Sequence, residues 1–319
     1  MPCMSNKWPV EYVTAEKKET IAYLTITRPE AMNALNKTVI GQLRECFDRV
    51  EMDPDVKTIV IGGLGKAFVA GADITFFIRC IKEERAEDLE SFANEGHGVL
   101  DKIEKSEKLV IARVQGLALG GGLELALACD TIIASNNASF GLPETGIGIY
   151  PGFGGMQRSM RKVGKALAKY LVLTGKVVDA ATALDMGLIE YVVPRDDLDR
   201  KIDEVAESRS TITKKNKGRP ELPGELARIE KLFDDNHINK LLSGEVEEGD
   251  VAGELARTIA KKAPLAIQKA NELMDRGENM SLRDALELEK SDIKYIFATE
   301  DALEGLLSVG KRKPDFNGK

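Results

Sequence analysis

The chain has 319 residues, enough for one large domain or two smaller ones, and its 43% hydrophobic and 30% charged residues are ordinary for a globular protein. A net charge of -7 argues against non-specific nucleic-acid binding, so an anionic ligand has to be held by local basic groups or by backbone N–H donors. Cys3, Cys46, Cys80 and Cys129 form no CxxC pair, His97 and His237 lack companions at metal-ligand spacing, and no apolar run reaches signal-peptide or membrane-span length, so a cytoplasmic chain with reduced thiols and no zinc site is expected.

In chain order, Ile21 to Thr27 predicts a strand ended by Arg28-Pro29, and Val39 to Met52 a helix with apolar residues at Val39, Ile40, Leu43, Phe47 and Val50. Thr58 to Ile61 predicts a buried strand, Glu83 to Glu104 a long helix, and Leu109 to Val114 another strand. Leu123 to Cys129 reads as a short buried helix and Thr131 to Ala134 as the strand after it. Helices are expected at Val163 to Leu173 and Ala180 to Met186, then a last strand at Leu188 to Val193 before Pro194. The alternation argues an α/β body over residues 1–194 and a helical part over 195–319. Within the latter, Ser208 to Pro223 is rich in Lys, Ser and Gly and reads as an exposed linker. Amphipathic pieces follow at Glu225 to Asp235, His237 to Leu242 and Val251 to Lys262. Pro264 fits the first turn of a helix, and Leu282 to Phe297 is the last long one.

Three segments carry chemistry. In Gln115 to Asp130 (QGLALGGGLELALACD) a strand runs through Gly120, Gly121 and Gly122 into an apolar helix that contains Glu124. The first N–H groups of that helix have no intrahelical partner and sit at its positive end, where they can donate to an oxygen that becomes anionic. A plain strand-to-helix turn, with Glu124 favouring the dipole, has the same local pattern. In Ala138 to Arg158 (ASFGLPETGIGIYPGFGGMQR), Pro143 precedes Glu144 in a glycine-rich loop whose Ile147, Ile149, Tyr150 and Phe153 argue that it is packed and not a solvated surface loop. In Lys66 to Ile74 (KAFVAGADI), small residues lie between a buried strand and a helix start, with Asp73 as N-cap and the Ala72 N–H as a second donor.

Together these segments resemble the enoyl-CoA hydratase/isomerase (crotonase) family, as do RPEAMNALN (Arg28 to Asn36), LTGKVVDAATALDMGLIEYVVP (Leu173 to Pro194) and GKRKPDF (Gly310 to Phe316). The resemblance covers nearly the whole chain, in order. It implies an α/β spiral of ββα turns followed by a helical region that builds trimers, often paired into hexamers. It places the two oxyanion-hole donors on the backbone N–H groups of Ala72 and Gly121, and the two catalytic glutamates at Glu124 and Glu144. Keeping both glutamates is the pattern of the hydratases, which add water across the 2,3-double bond of an enoyl-CoA thioester. By that analogy Glu124 helps deprotonate the attacking water and Glu144 handles the C2 proton, with coenzyme A as part of the substrate and no separate cofactor.

Substrate contacts are expected at Arg28, Ala34, Lys66, Ala70, Ala72, Asp73, Ile74, Leu117, Gly120, Gly121, Pro143, Gly152 and Lys311. Lys311 matches a C-terminal lysine that reaches CoA across a subunit boundary, and Lys37 is a further cation near the matching motifs; each could equally be a solvated surface charge. Thr145 and Tyr150 depart from the family pattern and put pocket polarity and depth in question. The stretch Ser208 to Asp250 is an atypical insertion, expected to lie at the periphery of the core as a helical flap over the CoA entrance or a subunit contact. Competing functions are an isomerase, hydrolase or other lyase using the same hole, and an RNA-binding or interaction protein on this scaffold. A fusion with a dehydrogenase is disfavoured, because no dinucleotide fingerprint is present.

Overall fold

A computed structural model describes residues 8–9, 11–208, 221–247 and 250–319. The chain opens with an antiparallel set of strands, β1 (Trp8–Pro9), β2 (Val13–Lys18) and β3 (Ile21–Ile26), followed by helix α1 (Lys37–Glu51). Three strand–strand–helix turns follow. The first is β4 (Thr58–Gly63), β5 (Ala67–Ala70), α2 (Ile74–Lys82) and α3 (Ala86–Glu104); the second is β6 (Leu109–Val114), β7 (Leu117–Leu119) and α4 (Gly121–Ala128). The third is β8 (Thr131–Ser135), β9 (Ser139–Gly141), α5 (Gly155–Val163) and α6 (Lys165–Thr174). Strand β10 (Val177–Asp179), helix α7 (Ala180–Asp185), strand β11 (Tyr191–Val193) and helix α8 (Leu198–Glu207) complete the body.

The first strand of each turn joins one sheet, ordered β1-β2-β3-β4-β6-β8-β11, and the second strand joins another, ordered β10-β9-β7-β5. Each sheet is parallel through its middle and antiparallel at one end. This is the spiral of ββα turns that the family resemblance implies and that hydrophobic periodicity alone does not reveal.

Local sequence accounts for the elements. β4 (TIVIGG) and β6 (LVIARV) are β-branched and buried almost throughout, as strands covered on both faces must be. In β3, buried and half-buried residues alternate, the mark of a strand with one solvated face. Helix α1 is capped by Asn36, whose Oδ1 accepts from Val39 N at 2.8 Å, and it buries Val39, Ile40, Leu43, Cys46, Phe47 and Val50. Asp73 caps α2 in the same way through Thr75 N, as its sequence position predicts. The expected helix from Glu83 begins only at Ala86, because Glu84 takes a positive φ of 54° and breaks the run. The helix expected over Val163 to Leu173 is α6; it begins only at Lys165 because Gly164, with φ 84° and ψ 157°, separates it from α5.

Beyond residue 220 the chain is helical: α9 (Gly224–Leu232), α10 (Ile238–Ser243), α11 (Val251–Ile259), α12 (Pro264–Gly277), α13 (Leu282–Ser291), α14 (Ile293–Phe297) and α15 (Glu300–Ser308). Pro264 is the first residue of its helix, as expected, while the last long helix is interrupted at Asp292. The expectation that the insertion lies peripheral to the core needs correction. Leu226, Ile229, Phe233, Ile238 and Leu241 are all buried in the main core, and the Phe233 ring meets Tyr170 of α6 edge-on at 5.6 Å. Polar composition misled because the few apolar residues are spaced to share one helical face. Lys214, Lys215, Lys217, Gly218, Arg219 and Pro220 of the same stretch, and Glu248 and Gly249 near its end, lie outside the described residues, as does Cys3. Among the described residues no helix is long and apolar enough to cross a membrane.

Asn33 ties the early chain to the β4–β5 turn. It is fully buried with φ 59°, a left-handed conformation that asparagine tolerates better than most residues. Its Nδ2 donates to the carbonyls of Leu64 (2.9 Å), Ala67 (2.9 Å) and Phe68 (3.1 Å), and its Oδ1 accepts from Arg28 N (2.9 Å). Asn33→Ala strands these buried groups and is expected to cost about 2–3 kcal/mol, roughly the penalty of one or two orphaned polar groups. Urea denaturation measures it; a midpoint within error of the wild type removes Asn33 as an organiser of this turn.

Candidate active site

The site is built at the carboxyl ends of three neighbouring parallel strands, β5, β7 and β9. Their last residues, Ala70, Leu119 and Gly141, are in register across the sheet. The chain leaves β5 through Gly71 to Ala72, leaves β7 through Gly120 to Gly121, and leaves β9 through Leu142 and Pro143 to Glu144. A flat row of strand ends therefore delivers two backbone donors and a carboxyl to one place.

Gly71 and Gly120 both have positive φ, 79° and 50°. That turns the peptide leading to the next residue in a way a side chain would resist. A short parallel bridge between Leu35 and Ala72 uses the Gly71 carbonyl and the Asp73 N–H, which leaves the Ala72 N–H out of the pairing. Gly121 is the first residue of α4, so its N–H has no intrahelical partner and lies at the positive end of the helix. A Cβ at Gly120 would also overlap the Glu144 carboxylate, so glycine there allows the carboxyl to lie against the backbone.

Glu124 and Glu144 are both buried and line one cavity of about 230 Å³. Glu124 Oε1 accepts from Phe153 N and from Gly155 N, each at 2.7 Å. Burial raises its pKa to about 7, against the pull of those two N–H groups and of Arg158. Glu144 has less support, a backbone hydrogen bond of its own residue. Its Oε2 lacks a hydrogen-bond partner among the described residues, and burial together with the charge of Glu124 raises its pKa well above the ordinary carboxylate range. The two N–H groups on Glu124 favour its charged form over that of Glu144. Two carboxyls thus face one cavity, distinguished by their hydrogen bonds.

Away from the carboxyls the cavity wall is apolar: Ile74 and Phe77 from α2, Leu89, Phe92 and Ala93 from α3, Ile149, Tyr150 and Phe153 from the loop before α5, Ile293 and Phe297 from α14, and Val309. Among the described residues no lysine or arginine lines it.

The enoyl-CoA hydratase/isomerase family model matches residues 16–216. The crotonyl-CoA hydratase of Syntrophomonas wolfei is 36% identical over 311 residues, covering 97% of this chain and 99% of that protein. The chain belongs to the enoyl-CoA hydratase/isomerase family. The short-chain-enoyl-CoA hydratase of Clostridium acetobutylicum is 34% identical over 303 residues, covering 94% of this chain and 95% of the relative. Among solved structures, an enoyl-CoA hydratase from Rhodobacter sphaeroides superposes with a TM-score of 0.83 at 25% identity, covering 97% of this chain and 93% of that one. This member of the family is an enzyme of the hydratase/isomerase type.

Of the residues read from sequence, Ala70, Ala72, Ile74, Gly120, Gly121, Glu124, Pro143, Glu144 and Gly152 line the cavity. Arg28, Ala34 and Asp73 form a cluster beside it. Arg28 donates to the Ala34 carbonyl at 3.2 Å and to Asp73 at 2.8 Å, so its charge is already engaged inside the protein. Lys37 is likewise engaged, 3.6 Å from Asp88. Lys66 is exposed at the start of β5 and Leu117 is half-buried at the start of β7. Lys311 is exposed just after Val309. Thr145 does not alter pocket polarity. Its hydroxyl is turned to the Val172 carbonyl at 2.9 Å, and it does not line the cavity. Tyr150 does line it, with its hydroxyl tied outward to the Glu289 carbonyl at 2.8 Å. No described residue of the insertion lines the cavity, because its apolar face is spent on the core; the flap expectation finds no support within the chain.

Apart from Ile74, sequence reading missed the wall contributed by α2, α3 and α14. Phe77, Phe92, Ile293 and Phe297 carry the spacing of ordinary core residues, and nothing local separates a residue that faces a cavity from one that faces another helix.

Proposed function

We propose that the protein catalyses reversible hydration of a 2,3-enoyl-CoA thioester. The observation that carries this reading is the pair of buried carboxyls on one cavity, one gripped by two backbone N–H groups and the other with one oxygen lacking a partner among the described residues, beside the Ala72 N–H, left out of its bridge, and the Gly121 N–H, left out of its helix ladder. The thioester carbonyl accepts from Ala72 and Gly121. As water adds at C3, negative charge moves onto that oxygen as an enolate, which donors aimed there in advance stabilise. Glu124, the anion, takes a proton from the water, and Glu144, the acid, gives one to C2. In dehydration the two exchange roles.

The same reading makes the carboxylates act on a water held between them, with coenzyme A entering only as part of the substrate. It extends to a trimer or paired trimers built through the helical C-terminal part, with Lys311 reaching the CoA of a neighbouring subunit. Three buried free cysteines, Cys46, Cys80 and Cys129, fit a cytoplasmic setting.

The wall chemistry sets the acyl group. With Phe77, Phe92, Phe297 and Ile293 around it and no cation among the lining residues described, the acyl tail is hydrocarbon. A panel of enoyl-CoA thioesters, followed by loss of the conjugated thioester absorbance, tests both points. Aliphatic enoyl-CoAs are expected to exceed ω-carboxylated ones of equal length by about 10²-fold or more in kcat/KM, because an unpaired buried charge costs several kcal/mol. Equal rates on the two series refute the apolar-tail assignment. Double-bond migration without water uptake makes the enzyme an isomerase.

A further inference from the structure

A third carboxyl lies behind the glutamate pair and has no part in the reaction as written. Glu289 of α13 is fully buried, and its Oε1 accepts from Gly154 N at 2.6 Å while its Oε2 has no hydrogen-bond partner among the described residues. Gly154 stands between the two residues whose N–H groups hold Glu124. Three consecutive N–H groups therefore alternate: Phe153 to Glu124, Gly154 to Glu289, Gly155 to Glu124. The loop is clamped between two carboxyls from different parts of the fold. Its carbonyls are held as well, Gly152 O at 2.9 Å from His97 Nε2 and Phe153 O at 2.9 Å from Arg158 Nη1.

We infer that Glu289 is a positioning residue for the hydration reaction, fixing from the C-terminal helices the loop that grips Glu124. A buried carboxyl is an expensive way to satisfy one N–H, and here it sits near Glu124 and Glu144, where any negative charge opposes its ionisation. The groups facing it are Glu124 from α4, Glu144 from the loop after β9, Arg158 from α5 and His97 from α3. The His97 ring is 4.0 Å from Oε1, and burial drives its pKa down to about 3, so it is neutral and offers Glu289 no counter-charge. Burial and the charge of Glu124 raise the Glu289 pKa well above the ordinary carboxylate range. What it gives the loop is an acceptor oxygen at a fixed place, and an amide can do the same.

This inference rests on the hydration reading, and kinetics separate the two. An inactive wild type sinks the hydration reading; an active wild type indifferent to Glu289 sinks only the inference. Glu289→Gln keeps the acceptor and is expected to retain kcat within about twofold. Glu289→Leu removes it and Glu289→Asp withdraws it by one methylene. Both are expected to lower kcat by about 10–100-fold with KM changed less than about threefold, the split expected when ground-state binding is spared. In both, the acid limb of the kcat/KM profile moves up by about 1 pH unit, because Glu124 is less well solvated by its N–H donors and ionises later. A merely structural role lowers the melting temperature and leaves that limb in place, which overturns the inference. Glu289→Gln as damaging as Glu289→Leu also overturns it, since the carboxyl proton would then be required. Where Glu289→Leu does not fold, Glu289→Asp decides.

Discussion

Glu124→Gln and Glu144→Gln are each expected to lower kcat for hydration by about 10²–10⁴-fold, the contribution of a positioned general acid or base. The double variant is expected to lose little beyond the worse single one, because the two groups act on the same water as a unit. Each substitution keeps the shape of the carboxyl it replaces. In Glu124→Gln the new amide oxygen can still accept from Phe153 N and Gly155 N, so a drop in rate reports lost proton transfer and not a displaced loop. Steady-state kinetics with one aliphatic enoyl-CoA suffice, and a kcat within about threefold of wild type in either single variant, far short of the loss a positioned acid or base implies, removes the two-carboxyl mechanism.

The pH profile follows from the same pair. The proposed mechanism needs Glu124 ionised and Glu144 protonated, so kcat/KM is expected to rise through the first ionisation and fall through the second; both apparent values belong to the pair. Stability runs the other way. Burial raises both carboxyls above their unfolded values, so the folded chain holds protons that the unfolded chain has released. Their favourable contribution is complete below the ordinary carboxylate pKa and is lost as pH rises through the raised values. The glutamine variants have no proton there to lose. Relative to wild type they should gain stability as pH rises from the ordinary carboxylate range through the raised values, about 7 for Glu124 and well above the ordinary range for Glu144.

The two sheets differ in how far the sequence shows them, and the difference explains why the site was legible before its scaffold. Strands β3, β4, β6 and β8 are runs of β-branched and apolar residues five or six long, which period and composition expose. Strands β7 and β9 are three residues each and β5 is four, too short for any period to be read. Those three strands align Ala72, Gly121 and Glu144. The glycines and carboxyls at their ends were visible because their residue types are unusual for the places they occupy, a glutamate between leucines above all. Glu289 shows the opposite case. In LELEKS it reads as one more charge on a charged helix, and only the packing of α13 against the Gly152–Gly155 loop makes it a buried partner. Long-range burial of a single polar residue has no local signature.

The oxyanion donors are tested by bulk rather than by charge. A Cβ at Gly121 would lie 3.2 Å from Leu35 Cδ1 and 3.5 Å from Phe153 Cδ2, so Gly121→Ala fits after a shift of a few tenths of an ångström. Valine adds two methyl groups to the same place. Whichever rotamer it takes, at least one methyl presses on Leu35 or Phe153 or stands in the cavity beside the N–H that the thioester oxygen must reach. Gly121→Val is therefore expected to lower kcat/KM by about 10²–10³-fold, the loss that follows removal of one such donor. The accompanying stability loss should stay near about 1–3 kcal/mol, the usual cost of overpacking. Gly121→Ala should fall between Gly121→Val and wild type. A graded response separates steric exclusion from misfolding, which would lower activity in step with the melting temperature. Both can be read on one preparation, kinetics against thermal unfolding. A Gly121→Val enzyme that keeps more than about a tenth of wild-type kcat/KM, a loss smaller than one donor accounts for, means that the thioester does not lie against the start of α4. The carboxyl pair would then need another electrophilic partner.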